Sequence, residues 1–169
     1  PVKNGILVMN GEQVEEILTD STAVPFEKIE KLEGALCPGF VNSHCHLELS
    51  HLKGRIDQHT QLTGFIKDIL RNRHKASEEE IFSAIESADE EMFSGGIVAV
   101  GDICNTDHTV PVKSRSKIHY HSFVELFDID EGKAVETLKN GLELEKKYRN
   151  AHLPVSIVPH APYTVSPTL

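Results

Sequence analysis

The sequence predicts an α/β fold in which βα units lay down a parallel sheet behind a short all-β entry segment. Four apolar stretches rich in β-branched residues recur at residues 36–43, 96–104, 118–126 and 154–160, and helical apolar spacing fills the intervals between them. The first eighteen residues read instead as a hairpin. Alternation of strand and helix is the signature of parallel pairing, because the chain crosses back over the sheet before each new strand. The character changes at Gly34, which divides a β module at residues 1–34 from a βα region at residues 35–169.

Taken in order, residues 5–9 and 13–18 flank Asn10-Gly11, a step that accepts the positive φ angles of a two-residue turn. A further short strand is expected near residues 28–32. After the first long strand, Leu62, Phe65, Ile66, Ile69 and Leu70 follow the i, i+3, i+4, i+7, i+8 spacing of one helix face. A second helix opens on a capping box of Ser77 and Glu80, buries Ile81, Ile85, Ala88 and Met92, and closes at Gly95. A third, over residues 131–148, is expected to bury Val135, Leu138 and Leu142.

Composition removes whole classes of function. With 39% hydrophobic and 25% charged residues the chain is an ordinary globular sequence, neither disordered nor collagen-like. Its 26 acidic against 17 basic residues leave a net charge of −9 and no dense Lys/Arg patch, which excludes nucleic acid as a partner. Glu78, Glu79, Glu80, Glu90 and Glu91 fall on a solvated helix face, so the acidity carries no substrate information. Cys37, Cys45 and Cys104 match neither a disulfide framework nor a zinc ribbon, and reduced thiols in the cytoplasm are expected. No apolar run approaches the roughly 20 residues that span a bilayer. Because the opening residues already enter a strand, the natural start is expected upstream of Pro1.

The segment richest in chemistry is Cys37-Pro38-Gly39-Phe40-Val41-Asn42-Ser43-His44-Cys45-His46, an apolar strand ending in His-x-His. Side chains alternate along a strand, so His44 and His46 share a side and can grip one cation through neutral imidazole nitrogens, while Cys45 points away. Two hydrogen-bonded histidines at a strand end would give the same pattern. The chain carries its own control in a second His-x-His, His119-Tyr120-His121, which has no such context. Further along, Pro159-His160-Ala161-Pro162-Tyr163-Thr164-Val165-Ser166 closes the fourth strand.

The Pro38-to-Leu47 segment resembles the first barrel strand of the amidohydrolase superfamily, and the Pro159-to-Ser166 segment resembles the fourth-strand motif of its adenosine-type, S-adenosylhomocysteine-type and cytosine-type deaminases and triazine chlorohydrolases. The resemblance implies the first half of a TIM-type (β/α)8 barrel preceded by part of a small β-sandwich. It implies that His44 and His46 bind one divalent metal, for which zinc fits best and iron is admitted by ligand type. It also implies that His160 contacts substrate near the metal, a direct metal contact being the alternative. Glu125, at the C-terminal end of the third long strand, is a further substrate-contact candidate. So is Glu48, against the plainer reading of an exposed loop carboxylate. Asp102 reads as a structural or orienting group, and His51, His59, His74, His108 and His152 as solvent-facing.

The family's remaining ligands and proton-shuttling carboxylate match nothing in this sequence, so the catalytic residues are expected beyond Leu169. A metal-activated water attacking a ring carbon that bears an amino group would make the protein a deaminase of a purine-nucleoside-like heterocycle. A ring chlorohydrolase, a cyclic amide hydrolase or a catalytically inactive fragment are the alternatives. The expected partners are a small heterocyclic substrate and further copies of the chain in a homo-oligomer.

Overall fold

A computed structural model describes residues 2–19 and 29–169. The chain divides into two compact units, Pro1–Pro38 and Gly39–Leu169.

In the first unit, β1 (Ile6–Asn10) and β2 (Gln13–Leu18) form the antiparallel hairpin. Asn10 pairs with Gln13, so the two loop residues are Gly11 and Glu12, one position later than the Asn-Gly dipeptide suggests. Gly11 supplies the left-handed backbone there, at φ 60°. The strand expected near residues 28–32 is not formed over residues 29–32, and Lys28 lies outside the described residues.

In the second unit, β3 (Phe40–Cys45), β4 (Ile97–Cys104), β5 (His119–Leu126) and β6 (Val155–Pro159) make one sheet in the order β3-β4-β5-β6. Every neighbouring pair is parallel. Helices α1 (Gln61–Asn72) and α2 (Glu78–Ser94) link β3 to β4, the one-turn α3 (Val110–Lys113) links β4 to β5, and α4 (Ala134–Asn150) links β5 to β6. Sequential parallel order follows from crossovers of one hand, each returning the chain to the same edge of the sheet.

Burial alternates along β4 and β5. Val100, Asp102 and Cys104, then Tyr120, Ser122, Val124 and Leu126, are buried beneath the helices, while Gly101, Ile103, His121, Phe123 and Glu125 lie half-buried on the other face. The core therefore sits on one side of the sheet, in two clusters. Ile81 and Ile85 of α2 pack with Val100, Val112, Ile118, Tyr120 and Leu47. Cys104, Val124 and Val155 pack with Tyr148 of α4.

Helix α2 forms as its sequence dictates. The Ser77 hydroxyl accepts from the Glu80 amide at 3.2 Å and the Glu80 carboxylate accepts from the Ser77 amide at 2.8 Å, which closes the capping box, and Gly95 is the C-cap. Ala88 and Met92 are only partly buried against the cluster that Ile81 and Ile85 enter.

Two helix faces differ from expectation. Val135, Leu138 and Leu142 of α4 are exposed, and Ala134, Gly141 and Tyr148 are buried in their place. The inward stripe is displaced by one residue, roughly 100° of helical rotation. Small residues win because α4 lies close on the sheet: a Cβ on Gly141 would stand 2.5 Å from Cδ2 of Leu126. Helix α1 forms over the predicted residues but buries none of them, leaving Leu62, Phe65, Ile66 and Leu70 exposed.

Candidate metal and substrate site

Parallel strands deliver their chain ends to one edge of the sheet, and the sequence candidates gather there. His44 lies within β3 and His46 follows its last residue. Their ring centroids stand 5.1 Å apart. Two residues along a strand advance roughly 6.6 Å, so the rings share a side and converge. Cys45, between them, packs against the core cluster. Burial first, and the nearby Asp102 charge second, push its thiol up to about 11, so it remains protonated near neutral pH.

A bulge re-aims this strand end. Asn42 pairs with Val100 and Cys45 with Asp102, so Ser43 and His44 together face the single residue Gly101. A Cβ at Gly101 would approach the Ser43 carbonyl oxygen to 2.8 Å and the Phe123 ring to 3.2 Å. Only a residue without a side chain lets the bulged backbone settle there. Gly101→Ala is expected to destabilise the fold by about 1–3 kcal/mol and to weaken metal binding, because the backbone that must yield carries His44. Chemical denaturation alongside zinc titration checks both; an alanine variant of unchanged stability and affinity would show that the bulge has room to spare.

His160 follows β6, and its backbone amide donates to the Leu126 carbonyl at 2.9 Å. Its Nδ1 is 2.6 Å from Oε1 of Glu125, the next-to-last residue of β5. The two substrate candidates are thus partners of one another. Glu125 is mostly buried and His160 more open, with side chains 11% and 40% exposed, so the carboxylate sits behind the ring and fixes its orientation. With Nδ1 engaged, Nε2 is the ring nitrogen left to meet a ligand.

Glu48 is not an exposed loop carboxylate. It is buried, and its Oε2 accepts from the Asn105 amide at 3.0 Å, the Thr106 amide at 2.9 Å and the Thr106 hydroxyl at 2.8 Å. The charge is satisfied by donors in the connection after β4, which is why it tolerates burial. Asn105 in turn donates its side-chain amide to the Glu125 carbonyl at 2.8 Å. A relay of hydrogen bonds therefore runs across the edge from Glu48 through Asn105 and Glu125 to His160. His51 is likewise buried rather than solvent-facing, its ring nitrogens 3.1 Å from the Glu48 carbonyl and 3.3 Å from the Arg73 carbonyl.

Sequence reasoning read Asp102 as a structural or orienting group but missed its partner beneath this edge. Asp102 and Lys113 pair at 2.6 Å with both side chains fully shielded from solvent. The contact is charge against charge rather than a well-directed hydrogen bond, since Asp102 Oδ2 has no aligned donor. Lys113 Nζ donates to Ser122 Oγ at 2.8 Å and stands 5.3 and 5.1 Å from the ring centroids of Tyr120 and Tyr148. Asp102 Oδ1 accepts from the Leu47 amide at 2.7 Å. The available signal was a lone lysine ending the apolar run Val110-Pro111-Val112 in a chain whose second strand carries one carboxylate.

Two imidazoles on one side of a strand end are a fitting donor set for a divalent cation of zinc's type, though they supply fewer than the three protein ligands usual in a catalytic site. Among the described residues no group of three or more His, Cys, Asp or Glu side chains is arranged to hold a metal ion. In the second His-x-His, His121 Nε2 is 2.9 Å from Ser156 Oγ.

The amidohydrolase family model matches residues 35–169, and the chain belongs to that family. It is similar to the 5'-deoxyadenosine deaminase of Methanosphaera stadtmanae, 25% identical over 99% of this chain and 41% of that protein. It also resembles the 5-methylthioadenosine/S-adenosylhomocysteine deaminase of Dictyoglomus turgidum, 26% identical over 99% of this chain and 40% of that protein. Among solved structures, the aminofutalosine deaminase of Helicobacter pylori in complex with methylthio-coformycin superposes with a TM-score of 0.63 at 25% identity, covering 76% of this chain and 31% of that one. The chain spans about two fifths of the length of these curated relatives.

Proposed function

We propose that the protein hydrolytically deaminates an adenosine-like heterocycle. The observation that carries the reading is the placing of a converging His44–His46 pair and a Glu125–His160 pair on the same C-terminal edge of one parallel sheet. In this reading residues 1–34 contribute to a small β-sandwich and residues 35–169 are the first four βα units of a (β/α)8 barrel. Deaminase names among the relatives supply the substrate class.

His44 and His46 hold a divalent cation, zinc by donor type, and supply two of its ligands. Such a cation makes water a competent nucleophile near neutral pH. His160 meets the heterocycle through Nε2, and Glu125 keeps that ring from turning. Glu48 braces the edge from within instead of touching substrate. The carboxylate that carries the proton to the departing ammonia is a residue other than these. Further copies of the chain in a homo-oligomer and a cytoplasmic setting complete the reading.

The test is ammonia release from 5'-deoxyadenosine by the zinc-loaded whole natural protein, the 169 residues alone being expected to be silent, with Glu125→Ala in the whole protein beside it. Ammonia release is expected, with kcat/KM for Glu125→Ala lower by about 10²-fold, the cost of an ångström-scale misplacement. Absence of ammonia together with chloride release from a chlorinated triazine would replace deamination by dehalogenation on the same scaffold.

A further inference from the structure

We infer that Asp102, with its charge balanced by Lys113, is a positioning residue for the His44–His46 pair; the inference rests on reading that pair as the metal site. His46 is flanked on both sides by residues tied to Asp102, one through its backbone register and one through its carboxylate. Ahead of it, Cys45 lies opposite Asp102 in the β3–β4 register. Behind it, the Leu47 amide donates to Asp102 Oδ1 at 2.7 Å. His46 itself turns the chain, at φ −122° and ψ 72°, out of β3 into a 3₁₀ segment at Leu47–Leu52. Leu47 is completely buried, so its amide cannot turn to water for an acceptor. Asp102 is what makes that turn affordable, and the turn sets where the His46 ring points.

The ion pair is poorly explained by stability alone. Desolvating two charges costs several kcal/mol each, and well-packed apolar residues commonly serve a core as well or better. What an apolar pair cannot supply is an acceptor aimed at Leu47. Lys113 is the counter-charge that permits a carboxylate at that depth, and Ser122 with the rings of Tyr120 and Tyr148 holds it in place. Partners behind a metal-binding histidine commonly tune affinity by 10–100-fold when lost. Here the partner acts through the backbone rather than through the far ring nitrogen.

Two double variants separate positioning from stability, because neither leaves an unpaired buried charge. Asp102→Asn with Lys113→Met keeps an oxygen acceptor for the Leu47 amide; Asp102→Leu with Lys113→Met removes it. Melting curves establish that each is folded. Hydrogen exchange of the peptide spanning residues 44–52 reports the turn, and competition with a chromophoric chelator reports zinc affinity.

The leucine double is expected to exchange faster at this peptide and to bind zinc about 10–100-fold more weakly, with the asparagine double close to the parent protein in both. Equal behaviour of the two doubles overturns the inference. Should the parent protein hold no zinc, the metal reading fails, and the exchange measurement still decides whether Asp102 positions the turn. Should the leucine double not fold, the asparagine double decides: retained zinc affinity supports the acceptor role, and lost affinity with unchanged exchange overturns it.

Discussion

Replacing Lys113 by methionine alone is expected to lower stability by about 3–5 kcal/mol, because it strands the Asp102 carboxylate in the core without its counter-charge. The two side chains are fully shielded, and no other cation lies within salt-bridge reach of Asp102 among the described residues. Methionine fills much the same volume, so packing loss is small and the electrostatic loss dominates. The cage compounds it, since Ser122 loses its donor and the faces of Tyr120 and Tyr148 lose the ammonium they flank. For a chain of this size the melting temperature should fall by on the order of 10 °C. Removing the carboxylate as well, by adding Asp102→Leu, should recover most of that loss. A single variant that melts within a degree or two of the parent would mean that water reaches Asp102 and that the pair is not truly buried.

Zinc binding should collapse in His44→Ala and in His46→Ala, by more than the 10–100-fold that loss of an outer partner costs, since each removes a direct ligand. The rings converge to 5.1 Å, and neither has a neighbour among the described residues positioned to replace it. The internal control is His119→Ala with His121→Ala, which removes a second His-x-His from β5. There His121 already pairs with Ser156, and zinc affinity is expected to stay unchanged. Metal analysis after dialysis against a graded chelator checks all the variants together. Equal zinc loss in the control would move the metal to β5 and sink the assignment at β3.

Sheet order and most strand positions were legible because alternation and β-branching are local properties: β4, β5 and β6 formed within a residue or so of their sequence limits, while β3 starts at Phe40 instead of Leu36 and runs on to Cys45. The His44–His46 pairing was legible for the same reason: a period of two survives between those residues even though the bulge takes in His44 itself. What escaped depends on distances across the fold. The buried stripe of α4 was misread because hydropathy ranks Val135, Leu138 and Leu142 above Ala134 and Gly141, whereas close approach to Leu126 selects the small residues. Glu48 looked exposed because a carboxylate in a loop normally is, and its donors, Asn105 and Thr106, lie more than fifty residues on. The Asp102–Lys113 pair joins a strand to a later short helix, and no periodicity links them. Glu125 and His160 were each singled out, but their partnership needed β5 and β6 side by side.

The relay from Glu48 through Asn105 and Glu125 to His160 has a dynamic consequence. Connections at the C-terminal edge of a parallel sheet are usually the least cooperative parts of a fold and fluctuate independently. Here the segments that follow β3, β4 and β6 are laced to one another by side-chain bonds, with Glu125 of β5 as the shared post, its carbonyl accepting from Asn105 and its carboxylate holding His160. Loosening one of them takes acceptors or donors away from its neighbour, so this edge opens as a single unit or not at all. A ligand that immobilises the His160 ring therefore withdraws freedom from the turn around Glu48, three strands away, so part of the entropic cost of ordering the β3 end of this edge is already met when that end engages a ligand of its own.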